Sequence, residues 1–239
     1  MSDILELVRK RRSLRKPFDL ERPVAEEQLA GILEAARWSP TAHNMQNFEI
    51  VLVDDRKVLE AIGSIERPIS ETFVRENYQQ LSFSEEELLE RKTGILATMF
   101  PPSWRNPDFR LDEIDDEEIA SMQTPLPTSA VLLVVVYDPR RRAPASEGDF
   151  LGILSLGCVM ENMWLMATSL GISVRIMSDF GDKLVDVQVK KILDIPDYMN
   201  VVYGLRSGYP VTATSEGLRV RRDLEDFTHH NGYGNKGFD

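Results

Sequence analysis

The sequence has 239 residues, of which 42% are hydrophobic and 28% charged, a composition typical of a globular protein with a sizeable core. The 28 Lys and Arg against 39 Asp and Glu give a formal net charge of −11. This balance argues against a nucleic-acid-binding protein, because phosphate contacts require a basic surface. One cysteine, Cys158, excludes a disulfide within the chain, and with three histidines it leaves too few ligands to predict a structural zinc site; we predict no metal site.

Apolar periodicity predicts alternating helices and strands in the first half of the chain. The spacing of apolar residues predicts helices over residues 3–12 and after Pro23. Short apolar runs predict a strand over residues 48–53 and a fully buried central strand over residues 129–138. Both strands are therefore expected in the core.

The second half begins with the most apolar helix, over residues 149–170. It is apolar on nearly every side and rich in Gly, Ser, Ala and Met, which predicts close packing against another helix, with a second subunit as one candidate partner. The segments that follow predict a strand and loop, a helix and a last core strand: "GISVRIMSDF", "KLVDVQVKKIL" and "NVVYGLRSGY". The sequence contains no run of 18 or more apolar residues, so no membrane span is predicted. The first residues lack the apolar region of a secretory signal, and we expect a cytoplasmic protein.

Residues 64–123 and the chain beyond Pro210 differ from the rest. The former mix acidic helical segments, one with Ser84 and Glu87 spaced as a capping box, with the loop "PPSWRNPDFR". The latter have too few apolar residues to fold alone. We therefore predict a single domain over residues 1–239, with a helical lid insertion at about 64–123 and an extended C-terminal tail at about 210–239.

Two basic clusters interrupt this acidic chain. Residues 1–16 contain six basic and two acidic side chains, a local charge of +4. The cluster suggests an anion site, since guanidinium groups bind phosphate well, although spacing alone favours a solvated helix end. The second cluster lies in the tail: Arg219, Arg221 and Arg222.

Polar groups also occur where a simple connector or core helix would not place them. The turn in "WSPTAHNMQNFEIVLVDD" carries His43, Asn44, Gln46 and Asn47, although a plain connector favours Gly, Pro, Asp or Ser. Glu161 and Asn162 interrupt the apolar helix and must find partners, for which a helix-packing hydrogen bond is the simpler explanation. Cys158 in the same helix is interpreted as core filler.

Two segments, "RRSLRKPF" and "EAARWSPTAHNMQNFEIVLV", together resemble the nitroreductase family of FMN-dependent oxidoreductases. That family has an Arg- and Ser-containing cluster after its first helix, and a Pro-Ser-x-x-Asn-x-Gln-Pro-Trp turn before a core strand. Pro40, Asn44 and Gln46 match the turn, whereas Asn47 and Phe48 depart from it. Three further segments match in order: "GCVMENMWLMATSLGISVRIMSDF", "ILDIPDYMNVVYGLRSGYP" and "RVRRDLEDF".

The resemblance implies an α+β, nitroreductase-like fold with a mixed central sheet flanked by helices, in an intertwined homodimer with flavins at the interface. It implies FMN as cofactor and NAD(P)H as electron donor. Hydride would be taken from NAD(P)H and a small organic acceptor, such as a nitroaromatic or a quinone, reduced by a ping-pong mechanism. No side chain is assigned a catalytic role, because FMN carries the chemistry.

The implied FMN site draws on four segments of the chain. The phosphate and ribityl chain would be held by the first basic cluster: Arg11, Arg12, Ser13 and Arg15. The tail would close on the phosphate with Arg219 and Arg221. The flavin edge and ring would be lined by the turn: Pro40, Thr41, Ala42, His43, Asn44 and Gln46. Backbone near flavin N5 would come from Met177, Ser178 and Asp179. Many relatives carry Glu-Gly where this chain has Ser178-Asp179.

Two other functions stay open. One is a specialised FMN enzyme of the same family, performing reductive dehalogenation, flavin fragmentation or dehydrogenation, with substrate selected by the lid. Its candidate selecting residues are Glu71, Arg75, Tyr78, Trp104 and Arg105, for which packing within the lid is the simpler role. The other is a flavin-binding protein without fast turnover.

Overall fold

The computed structural model describes residues 3–65, 72, 75–97, 108, 110, 130–142, 144, 148–212 and 218–236. The chain divides into two compact units. The first combines Met1–Arg67 with Thr124–Thr214, and the second combines Pro68–Gln123 with Ser215–Asp239. The second unit thus joins the segment predicted as a lid to the segment predicted as a tail.

The first unit is built on a four-stranded sheet: β1 (Phe48–Val53), β2 (Val131–Tyr137), β3 (Ser173–Met177) and β4 (Asn200–Gly208). The strand order is β1-β2-β4-β3, and every adjacent pair is antiparallel. The resemblance implies a mixed sheet, but each of these four strands is antiparallel to its neighbours. A parallel bridge between Ser13 and Val174 adds the N-terminal segment to β3.

Five helices of the first unit surround this sheet: α1 (Asp3–Lys10), α2 (Glu26–Arg37), α3 (Arg56–Gly63), α4 (Phe150–Ser169) and α5 (Lys183–Leu193). One core cluster joins α2 and α4 to alternate β2 residues such as Leu133, and a second joins α3 and α5 to the intervening ones such as Val134. Successive side chains of a strand point to opposite faces. All seven β2 residues are buried because both faces of the sheet are covered, which explains why the sequence there lacks polar alternation.

Helix α4 buries one side against α2 and the sheet, with Leu156, Val159 and Met163 in the core. Its opposite side is open near the N-terminal end, where Phe150 is 70% and Leu154 58% exposed. The helix predicted to be buried on all sides is thus buried on one side within a single chain. By length and hydropathy α4 could also cross a membrane, a test that core helices of globular proteins pass as well.

The second unit contains short elements. The helix Glu85–Arg91 begins with the predicted capping box, in which Ser84 Oγ accepts from the Glu87 N–H at 3.2 Å and Glu87 Oε2 accepts from the Ser84 N–H at 2.8 Å. Two-residue strands, Ser82–Phe83 and Ile95–Leu96, pair in parallel on either side of this helix in sequence. The tail forms the short helix Leu224–Phe227, and its Asp223 pairs with Lys92.

Candidate functional site

The first basic cluster is fixed along the edge of β3. Ser13 forms the parallel bridge with Val174, and the Leu14 N–H donates to the Val174 carbonyl oxygen at 2.8 Å. Leu14 is buried and anchors the segment, whereas Arg15 is exposed. The cluster after α1 is therefore held as an extended segment beside the strand that leads into residues 177–179.

Arg175, which the sequence analysis missed, lies near two predicted site residues that are distant from each other in sequence, Arg15 and Asp179. Burial lowers the pKa of the Arg175 guanidinium and the positive charge of Arg15 lowers it further, while the Asp179 carboxylate raises it. Arg175 in β3 also lies directly opposite Arg206 in β4. The sequence feature that could have indicated Arg175 is that it is the one charged residue in the strand "SVRIM".

Helix α4 contacts both the basic cluster and the polar turn. Glu161 Oε1 lies 3.2 Å from Arg11 Nε, and Trp164 Nε1 donates to the Arg12 carbonyl oxygen at 3.3 Å. Toward the turn, Asn162 Nδ2 donates to Ser39 Oγ at 2.9 Å. The helix-packing hydrogen bond predicted for the pair Glu161 and Asn162 is therefore confirmed for Asn162, whereas Glu161 binds a residue of the predicted site.

The polar turn has an unusual backbone. Three residues other than glycine adopt the left-handed region: His43 with φ 51°, Asn44 with φ 51° and Gln46 with φ 42°. Asparagine tolerates this region better than most residues, but a side chain such as that of Gln46 adopts it at a cost of the order of 1 kcal/mol. Strained backbone concentrates at functional sites, so this geometry favours a binding role for the turn.

Hydrogen bonds maintain the turn in this conformation. The Ala42 N–H donates to Ser155 Oγ of α4 at 3.1 Å, and the Gln46 N–H donates to Thr41 Oγ1 at 3.1 Å. Gln46 Nε2 donates to Asn44 Oδ1 at 2.9 Å. The side chains of His43, Asn44 and Gln46 are all exposed, as is Pro40, so uncharged polar groups are presented on a fixed loop.

Asn47, which replaces the proline usual in the family, has a different role from its neighbours. It is 4% exposed, and its Nδ2 donates to the Arg141 carbonyl oxygen at 2.7 Å. Its carbonyl oxygen accepts from the Asp138 N–H at 3.0 Å. Asn47 therefore connects the turn to the loop after β2 and does not belong to the exposed group.

The third predicted segment follows β3 directly. Residues Ser178–Gly181 form a single 3₁₀ turn, which Phe180 anchors through its fully buried ring. Ser178 is exposed, while Met177 and Asp179 are half-buried. The backbone of this segment is thus held at the end of the strand beside which Ser13 lies.

The remaining candidates belong to other segments of the chain. Arg219 and Arg221 belong to the second unit, where Arg219 is half-buried and Arg221 exposed, and their contribution to a phosphate site stays a prediction. Tyr78 is buried, which raises the pKa of its phenol and favours the packing role. Arg75 is exposed, whereas Glu71, Trp104 and Arg105 lie outside the described residues. Cys158 is half-buried rather than fully enclosed in the core.

Comparison with known proteins gives the family of the chain. The family model described as "Nitroreductase family" matches residues 8–209. A NADPH-dependent oxidoreductase from Staphylococcus aureus (strain N315) is 23% identical over 235 residues, covering 98% of this chain and 75% of the relative.

Solved structures share the fold. An FMN-dependent nitroreductase from Clostridium difficile matches with a TM-score of 0.60 and 16% identity, covering 96% of this chain and 99% of the other. The NADPH:FMN oxidoreductase from Vibrio harveyi, complexed with NAD+, matches with a TM-score of 0.59 and 18% identity, covering 99% of this chain and 80% of the other. The α+β nitroreductase-like fold is thereby confirmed, and the chain belongs to the nitroreductase family of oxidoreductases.

Proposed function

We propose that this protein is an FMN-dependent oxidoreductase that takes hydride from NAD(P)H and reduces a small organic acceptor, such as a nitroaromatic or a quinone, in a ping-pong cycle. The observation that carries the proposal is the pairing of Ser13 with Val174, which holds an arginine-rich segment beside the strand that leads to residues 177–179. The relatives named as NADPH-dependent and FMN-dependent enzymes support the two cofactors.

The residues present fit FMN by their chemistry. A dianionic phosphate requires guanidinium groups, which Arg11, Arg12 and Arg15 supply next to the Ser13 hydroxyl. The rim of an isoalloxazine is uncharged and carries hydrogen-bond donors and acceptors. The exposed imidazole and amide side chains of the turn suit that rim without adding a full charge.

Within this proposal, each segment has a separate task. The basic cluster would bind the phosphate and ribityl chain, with Arg219 and Arg221 from the tail. The turn over residues 40–46 would line the flavin edge, and the backbone over residues 177–179 would lie at the N5 side. FMN, when bound, supplies the electron-transfer chemistry, and the residues of the chain bind it, orient it and limit the access of water.

The open side of α4 supports a homodimer. Phe150, Ile153 and Leu154 are all more than half exposed, at the i, i+3 and i+4 positions of one helix face. Contiguous apolar surface of this kind marks an interaction site. A second copy of the chain, with flavins at the interface, is the arrangement that the family resemblance implies, and the location of the protein is proposed to be cytoplasmic.

A specialised reaction of the same family is the second candidate. It is favoured by residues 68–123 of the second compact unit, which have no counterpart in the motifs that carry the resemblance. Turnover of nitroaromatics and quinones at background rates only, by an enzyme whose flavin NAD(P)H still reduces, would favour this candidate over the first.

The decisive experiment is the visible spectrum of the purified protein with FMN, followed by NADH or NADPH under anaerobic conditions. We expect flavin bands that shift on binding and bleach within seconds of adding a pyridine nucleotide. Bands that stay unbleached with both nucleotides would contradict an NAD(P)H-dependent enzyme and favour a flavin-binding protein. Absence of FMN binding would contradict the proposed function altogether.

A further inference from the structure

Two residues of α4 contact Arg11, the first of the arginines predicted to bind the phosphate. Arg11 Nε lies 3.2 Å from Glu161 Oε1, and the guanidinium carbon lies 4.8 Å from the centre of the Trp164 ring. Trp164 also donates its indole N–H to the carbonyl oxygen of the next residue, Arg12. Because residues three apart share one helix face, one patch of α4 fixes both the side chain of Arg11 and the adjacent backbone.

This ion pair differs from the exposed pairs of the first unit. Arg37–Glu34 and Arg56–Glu60 join neighbours within one helix, and their side chains are about half exposed or more. In the Arg11–Glu161 pair the side chains are only 23% and 38% exposed, and the pair joins the segment after α1 to α4. Partial removal from water strengthens such a pair, whereas fully exposed pairs contribute little.

The contact restricts which part of Arg11 can bind a ligand. A guanidinium has five N–H donors, one on Nε and four on the two terminal nitrogens. Nε is buried beside Glu161 without a hydrogen-bond partner among the described residues, and the indole covers one face, so the terminal amino groups are the donors that an anion can reach. A guanidinium fixed in this way loses less conformational freedom when it binds a phosphate.

We propose that Glu161 is a positioning residue for the phosphate site: it orients Arg11 for the phosphate and does not touch the cofactor itself. This inference rests on the proposed function. A carboxylate near a phosphate site also repels the phosphate. Orientation dominates because Glu161 lies 3.2 Å from the buried Nε of Arg11, whereas the terminal amino groups would face the phosphate.

The test compares the affinities of the full-length protein for FMN and for riboflavin, which lacks the phosphate, by quenching of flavin fluorescence. Glu161→Ala should weaken FMN binding by about tenfold, the scale of an ion pair partly removed from water, and leave riboflavin binding unchanged. Glu161→Asp, which keeps the carboxylate charge, should restore part of the preference for FMN. In the Arg11→Ala background, Glu161→Ala should have no further effect.

Asn162→Ala is the matched control on α4, because it removes the contact with Ser39 and leaves Arg11 untouched. It should keep the ratio of FMN to riboflavin affinity at the wild-type value. If Glu161→Ala fails to fold, Glu161→Met, which keeps the side-chain length and helix propensity without the carboxylate, carries the same expectation.

The outcomes separate this inference from the proposed function. A wild-type protein that prefers FMN, together with a Glu161→Ala variant that keeps or increases this preference, would overturn the positioning role alone. A wild-type protein that binds neither flavin would overturn the proposed function and this inference with it.

Discussion

Asn44 and Asn47 lie in the same turn but differ in burial and in hydrogen bonding. The Asn47 amide is buried and donates to the Arg141 carbonyl oxygen at 2.7 Å, whereas the Asn44 amide is exposed and bonds only to the neighbouring Gln46 in the hydrogen bonds described above. Removing a buried donor leaves its acceptor unsatisfied, while water replaces an exposed one. We therefore expect Asn47 to contribute mainly to stability and Asn44 mainly to binding.

We expect Asn47→Ala to lower the free energy of unfolding by about 1–3 kcal/mol, measured by urea denaturation. The control, Asn44→Ala, should change it by less than about 0.5 kcal/mol. FMN affinity should show the opposite order, with the larger loss for Asn44→Ala. Equal losses of stability in the two variants would contradict the division of roles within the turn.

Among the elements, the packing of α4 on β2 depends on a glycine. A Cβ placed on Gly152 would lie 2.5 Å from the Tyr137 phenol oxygen, which is buried and donates to Asp149 Oδ1 at 3.3 Å. Gly31 in α2 offers a comparison, because a Cβ there would meet only Leu170, at 3.7 Å among the described atoms. The same substitution should therefore have opposite effects in the two helices.

Gly152→Ala should destabilise the protein by about 1–3 kcal/mol, since the helix or the tyrosine must shift to admit the methyl group. Gly31→Ala should stabilise it by about 0.5–1 kcal/mol, because alanine favours the helical backbone. Thermal unfolding followed by circular dichroism measures both. A Gly152→Ala variant as stable as Gly31→Ala would show that the contact with Tyr137 does not limit the packing.

Most elements of the first unit could be predicted because each is specified locally. The strand over residues 48–53 and the helix "KLVDVQVKKIL" occur with the predicted bounds, and the central strand and the long helix differ from theirs by one or two residues. Apolar runs and 3.6-residue periodicity are properties of neighbouring residues, so they can be recognised without knowledge of the tertiary structure.

The site was predictable only in part, because its geometry depends on distant residues. The motifs located the basic cluster and the turn, but neither Glu161 beside Arg11 nor Arg175 near Arg15 could be inferred without the register of the sheet. The left-handed backbone at Gln46 was also hidden, since this residue type does not favour it. In the second unit the capping box was local and confirmed, whereas the pairing of Lys92 with Asp223 was not foreseeable.

The whole molecule is expected to be a dimer through the open side of α4. Leu154 of α4 is 58% exposed and Leu184 of α5 is 59% exposed, so a lysine at either position should be tolerated equally well by a single folded chain. Leu154→Lys should give a monomer with weakened FMN binding, because it places a charge in the proposed interface. Leu184→Lys should remain a dimer.

Sedimentation equilibrium at micromolar concentration measures the mass of each variant directly, and circular dichroism verifies that each is folded. A wild-type protein of monomeric mass would contradict the homodimer. A Leu154→Lys variant that remains dimeric would instead place the interface on another surface of the molecule.

The bridge between Ser13 and Val174 has a consequence for the order of events during synthesis. The indole that fixes the Arg12 backbone follows it by 152 residues, so the basic segment leaves the ribosome long before its supports exist. Until β3 and α4 have been made, the basic segment lacks the groups that hold it in the folded protein. The segment is thus synthesised long before it reaches its final place, and we expect an anionic cofactor to bind only after α4 and β3 have been made.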